Sequence, residues 1–234
     1  MTKYRLRFTK LNNLKYLSHL NLMRAMERAI RRAALPLAFS EGFHPHPQIS
    51  FGPALAVGVE SISEYLDLEL ITEMDPAALM NSLNQVLPDG LKIAEAGRIE
   101  TGAKSLNAMI NKASYRILIQ TDPGWKEELA RQLNGLLQTE TLNVIRKNKD
   151  GQKTVNIRPW LHNLSIEEKS PDTQEIQLTG ETGSNGNLRP EDIFSLVSVP
   201  VKLLNVTRNG MWNEAKGLVI KPMDSGEQSG EQKS

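Results

Sequence analysis

Residues 17–52 read LSHLNLMRAMERAIRRAALPLAFSEGFHPHPQISFG, and this stretch decides how the chain is expected to fold. The first half predicts an amphipathic helix, because Ser18 can cap its first turn and Pro36 limits its far end. The second half cannot continue as helix, since two prolines remove backbone donors and Gly42 permits a left-handed turn. The stretch therefore predicts a helix, a short strand and a loop, GFHPHP (residues 42–47).

The helix is expected to carry two different faces. At 100° per residue, apolar side chains gather on one side and arginines on another. The apolar group is Leu20, Met23, Met26, Ile30 and Ala34, and the basic group is Arg24, Arg28, Arg31 and Arg32. Guanidinium groups on a rigid helix can neutralise phosphates, whereas a row of charges can also serve only to solvate a helix. The basic group is a predicted RNA-binding face.

The strand before the helix adds to this basic surface. Residues 3–9 alternate Tyr4, Leu6 and Phe8 with Arg5 and Arg7, which predicts a strand with one buried face. Arg5 and Arg7 are therefore expected to join the RNA-binding surface. Residues 1–40 hold nine Lys or Arg against one Glu, and residues 41–100 hold ten Asp or Glu against two basic residues. This asymmetry predicts a charge dipole that can steer a polyanion.

The composition excludes several kinds of chemistry. The chain has no cysteine, so it forms no disulfide, thiol nucleophile, cysteine-based zinc site or cysteine-ligated iron–sulfur cluster. It has no apolar run long enough to span a membrane and no secretory signal at its start. We expect a cytoplasmic protein with no membrane partner and no cofactor of its own.

The order of predicted elements indicates an α+β fold. Over the first hundred residues the order is βαββαβ, the ferredoxin-like arrangement, and it seems to recur with one inserted hairpin around Asn148-Lys149-Asp150-Gly151. We therefore predict two ferredoxin-like units in tandem, residues 1–104 and 105–220. Residues 221–234 are polar and rich in Gly and Ser, and are expected to be disordered.

The histidines offer the remaining chemistry. His44 and His46 form a His-x-His pair, but the carboxylate ligands that would complete a metal site are missing, so no metal is predicted. The loop residues Gly42, Phe43, His44 and His46 are a candidate binding site, with stacking on RNA as one role and simple loop packing as another. His19, on the apolar side of the helix, is expected to pack.

The stretch 17–52, together with SEYLDLEL at residues 63–70 and NIRPWL at residues 156–161, resembles the radical SAM-linked bacterial proteins of unknown function. That resemblance implies a radical SAM enzyme as partner. Because such an enzyme needs cluster thiolates, this chain is expected to be its companion.

Three functions remain open from the sequence. The first is a non-catalytic accessory subunit that presents an RNA or ribonucleoprotein substrate to the radical SAM enzyme. The second is a metal-independent endoribonuclease resembling CRISPR repeat-processing enzymes, with His19 or His44 as general acid–base. The third is a structural adaptor between proteins.

Overall fold

The computed structural model describes residues 1–100, 102–148, 151–184 and 186–226, which form a mixed α+β fold on a large, mostly antiparallel sheet. The chain divides into two compact units. The first holds residues 1–110 and the C-terminal part from residue 211, and the second holds residues 111–210. The division expected from sequence, at 104/105 with everything to 220 in the second unit, differs because the chain returns to the first unit near its end.

The first unit begins with the predicted order βαββαβ. Its elements are β1 (Thr2–Lys10), α1 (His19–Arg32), β2 (Ile49–Phe51), β3 (Glu60–Leu70), α2 (Pro76–Asn84), β4 (Leu91–Ile99) and α3 (Leu106–Met109). The strand order is β4-β1-β3, with β2 also paired to β3, and all these pairs are antiparallel. Short 3-10 helices at Asn12–Tyr16 and Pro222–Gly226 complete this unit.

The second unit contains the inserted hairpin. Its elements are β5 (Lys112–Gln120), α4 (Lys126–Gln138), β6 (Asn143–Asn148), β7 (Gly151–Asn156), β8 (Leu161–Ser170), β9 (Thr173–Glu181) and α5 (Pro190–Phe194), with 3-10 helices at Pro123–Trp125 and Arg158–Trp160. Antiparallel strands run in the order β5-β9-β8, whereas β6 and β7 form a separate two-stranded sheet. Residues 149 and 150 of the predicted turn lie outside the described residues.

The last long strand belongs to both units. It is β10 (Lys202–Ala215), whose residues up to 210 belong to the second unit and whose residues from 211 onward belong to the first. A short strand that the sequence did not predict, β11 (Leu218–Ile220), pairs with the end of β10. The tandem ferredoxin-like arrangement stays a prediction.

Polar side chains cap the starts of the two longer helices of the first unit, α1 and α2. The Ser18 hydroxyl accepts a hydrogen bond from the Asn21 amide at 3.3 Å, and an Asp75 carboxylate oxygen accepts one from the Ala78 amide at 3.0 Å. Pro76 follows as the first residue of α2, where its missing amide hydrogen costs nothing. Capping side chains therefore set both helix starts.

The core of the first unit is aliphatic and aromatic. Tyr4, Leu6 and Phe8 of β1 are fully buried, and they pack with the inner sides of α1, α2, β3 and β4. Phe51 meets Phe8 edge-on, with 6.3 Å between the ring centroids. The second unit has its own core of leucines and isoleucines from α4, β5 and β9.

The C-terminal segment differs from the expectation of disorder at residues 221–226. The Pro222 carbonyl accepts a hydrogen bond from Arg5 at 3.0 Å, and an Asp224 carboxylate oxygen accepts one from the Lys221 amide at 3.3 Å. The segment is therefore ordered by polar contacts that a reading of its composition misses. Residues 227–234 lie outside the described residues. No helix in the described part of the chain is long and apolar enough to cross a membrane.

Candidate nucleic-acid interface

The four predicted helix arginines lie together on the solvent side of α1. Arg24, Arg28, Arg31 and Arg32 are all exposed. The buried side of the same helix is a narrow ridge, Leu22, Met26, Ala29 and Ile30. Of the predicted apolar group, Met26 and Ile30 are buried and Met23 packs against the core, while Ala34 is exposed and Leu20 is 54% exposed. The ridge is thus rotated toward Leu22 and Ala29, which leaves Leu20 in solvent.

The charges on this face are largely uncompensated. Within the described residues, Arg24, Arg28 and Arg31 form no ion pair with an acidic side chain. Arg32 donates a hydrogen bond to the Val86 carbonyl at 2.8 Å, which is a neutral acceptor. The face therefore keeps its positive charge, and we call these four side chains the arginine face.

The GFHPHP loop lies at the end of a short hairpin, since Phe39 and Pro47 form an isolated antiparallel bridge. Two hydrogen bonds close its base: the Ser40 amide donates to the His46 carbonyl, and the His46 amide donates to the Ser40 hydroxyl, both at 2.9 Å. Gly42 has a φ of 116°, which a side chain would rarely adopt. Phe43, His44 and His46 are all exposed, and Phe43 is as exposed as a free residue. The loop thus holds an aromatic ring in solvent on a fixed base.

Arg5 does not lie on the predicted surface. Its side chain is 0% exposed, and its Nε and Nη2 atoms donate to the two carboxylate oxygens of Asp67 at 2.7 and 2.9 Å. Further hydrogen bonds run to the carbonyls of Pro222 and Lys104. The alternation in β1 was interpreted as one buried face, but both faces are covered here, so the expectation that Arg5 contacts RNA is wrong.

Arg7 is only partly available. Its Nε donates to Glu95 at 3.0 Å, and its side chain is about one-third exposed. Lys10, another of the early basic residues, is buried and donates to the carbonyls of Lys15 and Leu17. The charge asymmetry seen in the sequence is therefore partly cancelled inside the first unit, because β1 lies between β3 and β4, which carry acidic residues.

The histidines fall into two environments. His19 is half-buried and meets the ring of Phe51 edge-on, with 5.9 Å between centroids, as expected for a packing residue. His44 and His46 are at the exposed loop. In the described part of the chain, no three His, Asp or Glu side chains gather in a way that could hold a metal ion. The roles proposed for these histidines from the sequence stay predictions.

A cluster in the second unit was missed by the sequence analysis. Lys112 on β5 and Glu181 on β9 are paired in register and form a salt bridge, and His162 on β8 joins them with its Nε2 atom 2.8 Å from Glu181. Burial alone would raise the pKa of Glu181, but hydrogen bonds from Lys112 and His162 bring that pKa below its usual value. The three residues share no sequence motif, because only strand pairing brings them together.

Comparisons with known proteins give distant matches. No curated protein matches the chain. Among solved structures it is similar to a Cbf5–Nop10–Gar1 complex, with 11% identity and a TM-score of 0.47 over 91% of this chain and 50% of the other. It is also similar to an H/ACA ribonucleoprotein bound to a substrate RNA containing 2′-deoxyuridine, with 10% identity and a TM-score of 0.41 over 86% of this chain and 46% of the other. The chain spans about half the length of these proteins, and such distant similarity carries no functional argument.

The family of the chain is shown by a match to a family model. Residues 3–190 match the family described as "Uncharacterized protein conserved in bacteria" (DUF2344), which covers well over half of the sequence. The match includes β1, α1 and the GFHPHP loop, and so all of the candidate interface. The chain belongs to this family of uncharacterized bacterial proteins.

Proposed function

We propose that this protein is a non-catalytic accessory subunit that binds RNA and presents an RNA or ribonucleoprotein substrate to a radical SAM enzyme. The observation that carries the RNA-binding part is the arginine face of α1, whose charges are exposed and largely unpaired. Arginine is well suited to this task, because its planar fork of donors fits phosphate oxygens.

The geometry of α1 favours contact with several phosphates. At a rise of 1.5 Å per residue, Arg24 and Arg32 are separated by about 12 Å along the helix axis. The buried ridge of α1 fixes the helix on its sheet, so the arginines are presented by a rigid support. Binding that neutralises several phosphates releases counterions and depends strongly on salt.

The hairpin loop supplies a second kind of contact. Exposed aromatic rings stack on the faces of unpaired bases, and such stacking is worth about 1–3 kcal/mol per base. Phe43 is held in solvent on a base closed by two hydrogen bonds between Ser40 and His46, and His44 is exposed beside it. We therefore assign base stacking to Phe43 and His44, and phosphate contacts to the arginine face.

The radical SAM partner rests on the resemblance at residues 17–52. The chain contains no cysteine, so the cluster thiolates of such a reaction belong to another protein. We further propose that each unit is ferredoxin-like, since β1 to β4 run in the order β4-β1-β3-β2 and β5, β8, β9 and β10 run in the matching order β10-β5-β9-β8.

The decisive experiment measures binding of a short single-stranded RNA as a function of salt. Changing Arg24 and Arg28 to Glu should weaken binding and should flatten the slope of log K against log salt by about 1.4, or about 0.7 for each lost phosphate contact. The fold should be unaffected because the buried ridge of α1 is untouched. A control that reverses Arg116 and Arg131, both more than half exposed in the second unit, makes the same change in net charge.

A second arm of the experiment tests the loop. Replacing Phe43 and His44 with Ala should weaken RNA binding with a nearly unchanged salt slope, because stacking does not release counterions. The hydrogen bonds at the loop base should survive, since His46 makes them through its backbone. If wild-type protein fails to bind RNA at low salt, or if both reversed pairs weaken it equally, the arginine face is ordinary solvation and the adaptor function is favoured. The radical SAM part is tested separately: the tagged protein should co-purify from its native host with an enzyme that shows iron–sulfur absorbance.

A further inference from the structure

The second unit contains a cavity that no part of the proposed function uses. It has a volume of about 650 Å³ and lies between the start of α4 and the strands β8 and β9. Pro123 and Ala130 line it from the helix side, and Ile166 and Gln174 line it from the sheet side. Small-molecule sites commonly have volumes of about 300–1,000 Å³, so the cavity is large enough for a ligand of that kind.

Gln174 is the unusual member of this wall. Along β9 the residues Gln174, Ile176 and Leu178 face the same buried side of the sheet, so the glutamine occupies a position that an apolar core residue would normally fill. It is 3% exposed, and among the described residues neither its amide nitrogen nor its amide oxygen has a hydrogen-bond partner. A buried amide without a partner is costly, and a ligand in the adjacent cavity would supply that partner once the side chain turns toward it.

The chemistry of the wall restricts that ligand. An amide offers one acceptor and one donor side by side, which match a planar ligand edge with an adjacent donor and acceptor. Ile166, Ala130 and Pro123 offer apolar surface to the faces of such a ring. The charged residues of the wall are Lys126, Glu127 and Glu168, and Lys126 forms an ion pair with Glu168. One negative charge therefore remains, which disfavours a phosphate inside the cavity.

We infer that this cavity binds the base of a nucleoside, with the Gln174 side chain turning its covered amide into the cavity to hydrogen-bond the donor–acceptor edge of the ring. The base can come from a free nucleoside or from an unpaired nucleotide of an RNA, because both present the same edge. The inference does not depend on the arginine face, which belongs to the first unit.

The test uses the full-length protein and pairs of nucleosides that differ only at the proposed edge. Uridine or adenosine should raise the melting temperature in a saturable way. N3-methyluridine and N6,N6-dimethyladenosine, in which methyl groups replace the edge N–H donors, should bind at least tenfold more weakly. Gln174→Leu should raise the melting temperature of the free protein, because it removes a buried unpaired amide, and should abolish the shift caused by the nucleoside. Gln152→Leu, on the exposed strand β7, is the matched control and should change neither property.

Further measurements distinguish a free nucleoside from an RNA as the source of the base, and they decide whether the inference holds. If a short oligoribonucleotide loses affinity in Gln174→Leu while free nucleosides bind poorly, the base enters from RNA; if only nucleosides respond, the ligand is free. Charge reversal at Arg24 and Arg28 should leave nucleoside affinity unchanged, so failure of the RNA-binding proposal would be recognised separately. The inference is overturned if neither nucleosides nor the oligoribonucleotide bind wild-type protein with an affinity that Gln174→Leu lowers, or if the methylated nucleosides bind as well as their parents. If Gln174→Leu does not fold, the comparison of methylated and parent nucleosides on wild-type protein still decides.

Discussion

Removing the guanidinium of Arg5 should be among the most damaging single changes in the first unit. Arg5→Met keeps most of the side-chain volume but leaves the Asp67 carboxylate without its bidentate partner. Both side chains are at most 1% exposed, so water cannot replace the lost hydrogen bonds without rearrangement. The carbonyls of Pro222 and Lys104 lose the hydrogen bonds from Arg5 in the same step.

The size of the effect follows from this burial. Breaking a buried ion pair by removing one partner costs about 3–5 kcal/mol, because a buried charge is left uncompensated. Whole domains are stable by only about 5–15 kcal/mol, so the change consumes a large share of the total. At about 2–4 °C per kcal/mol for a chain of this size, the melting temperature should fall by roughly 6–20 °C.

Urea denaturation of wild type and variants measures the loss in free energy of unfolding directly, because the midpoint shifts while the m-value stays unchanged. Arg7→Met is the matched control on the same strand: its pair with Glu95 is half-exposed, so its loss should cost at most about 1 kcal/mol. The double variant Arg5→Met/Asp67→Leu should recover most of the lost stability, because no buried charge then remains. An Arg5→Met cost no larger than that of Arg7→Met would refute the reasoning.

Two further predictions concern stability. Glu181→Gln should lower the free energy of unfolding by about 1–3 kcal/mol near neutral pH, because the substitution removes the charge-assisted hydrogen bonds from Lys112 and His162. Because the pKa of Glu181 is lowered in the folded protein, its carboxylate stabilises the fold above the ordinary pKa of 4.5, and this stabilisation is lost as the pH falls below that value. Urea titrations should therefore show a smaller difference in stability between wild type and Glu181→Gln at about pH 3 than at about pH 7. Gly90→Ala should lower the melting temperature more than Gly58→Ala. The two glycines have nearly the same φ, 88° and 89°, so the backbone strain is matched. At Gly90 the new methyl group would lie 2.7 Å from the backbone oxygen of Leu11, whereas at Gly58 it would meet open space. Equal costs would mean that the Leu11 carbonyl moves aside freely.

Local signals in the sequence predicted most of the elements. Ser18 caps α1 as expected, since capping depends only on residues within one turn. The inserted hairpin at β6 and β7 was also predicted, from its Asn and Gly flanks and the strands on either side. Neighbouring residues in the chain determine these features, so they can be predicted from the sequence alone.

Features decided by distant neighbours were not predictable in the same way. Nothing local shows that both faces of β1 are covered, so Arg5 was expected in solvent. Its partner, Asp67, is separated from it by 62 residues, and the carbonyl it reaches at Pro222 by 217. Gln174 likewise looks like an ordinary polar residue of a half-exposed strand, and only its neighbours on the buried side of β9 show it to be unusual. Strand pairing and layer packing determine whether such side chains are buried, and a single sequence does not show which strands pair.

The pairing of charges across strands reduces the set of residues that can form the candidate interface. The sequence placed a strong positive charge on the first forty residues, but a sheet pairs charges across its strands and removes them from the surface. Arg7 is matched to Glu95 and Arg5 to Asp67 in this way. The outer face of a helix has no facing strand, so charges placed there stay available to a partner. In this protein such charges are those of Arg24, Arg28, Arg31 and Arg32. RNA binding should therefore depend on α1 and the loop that follows it, and the basic residues of β1 should affect it only through the stability of the fold.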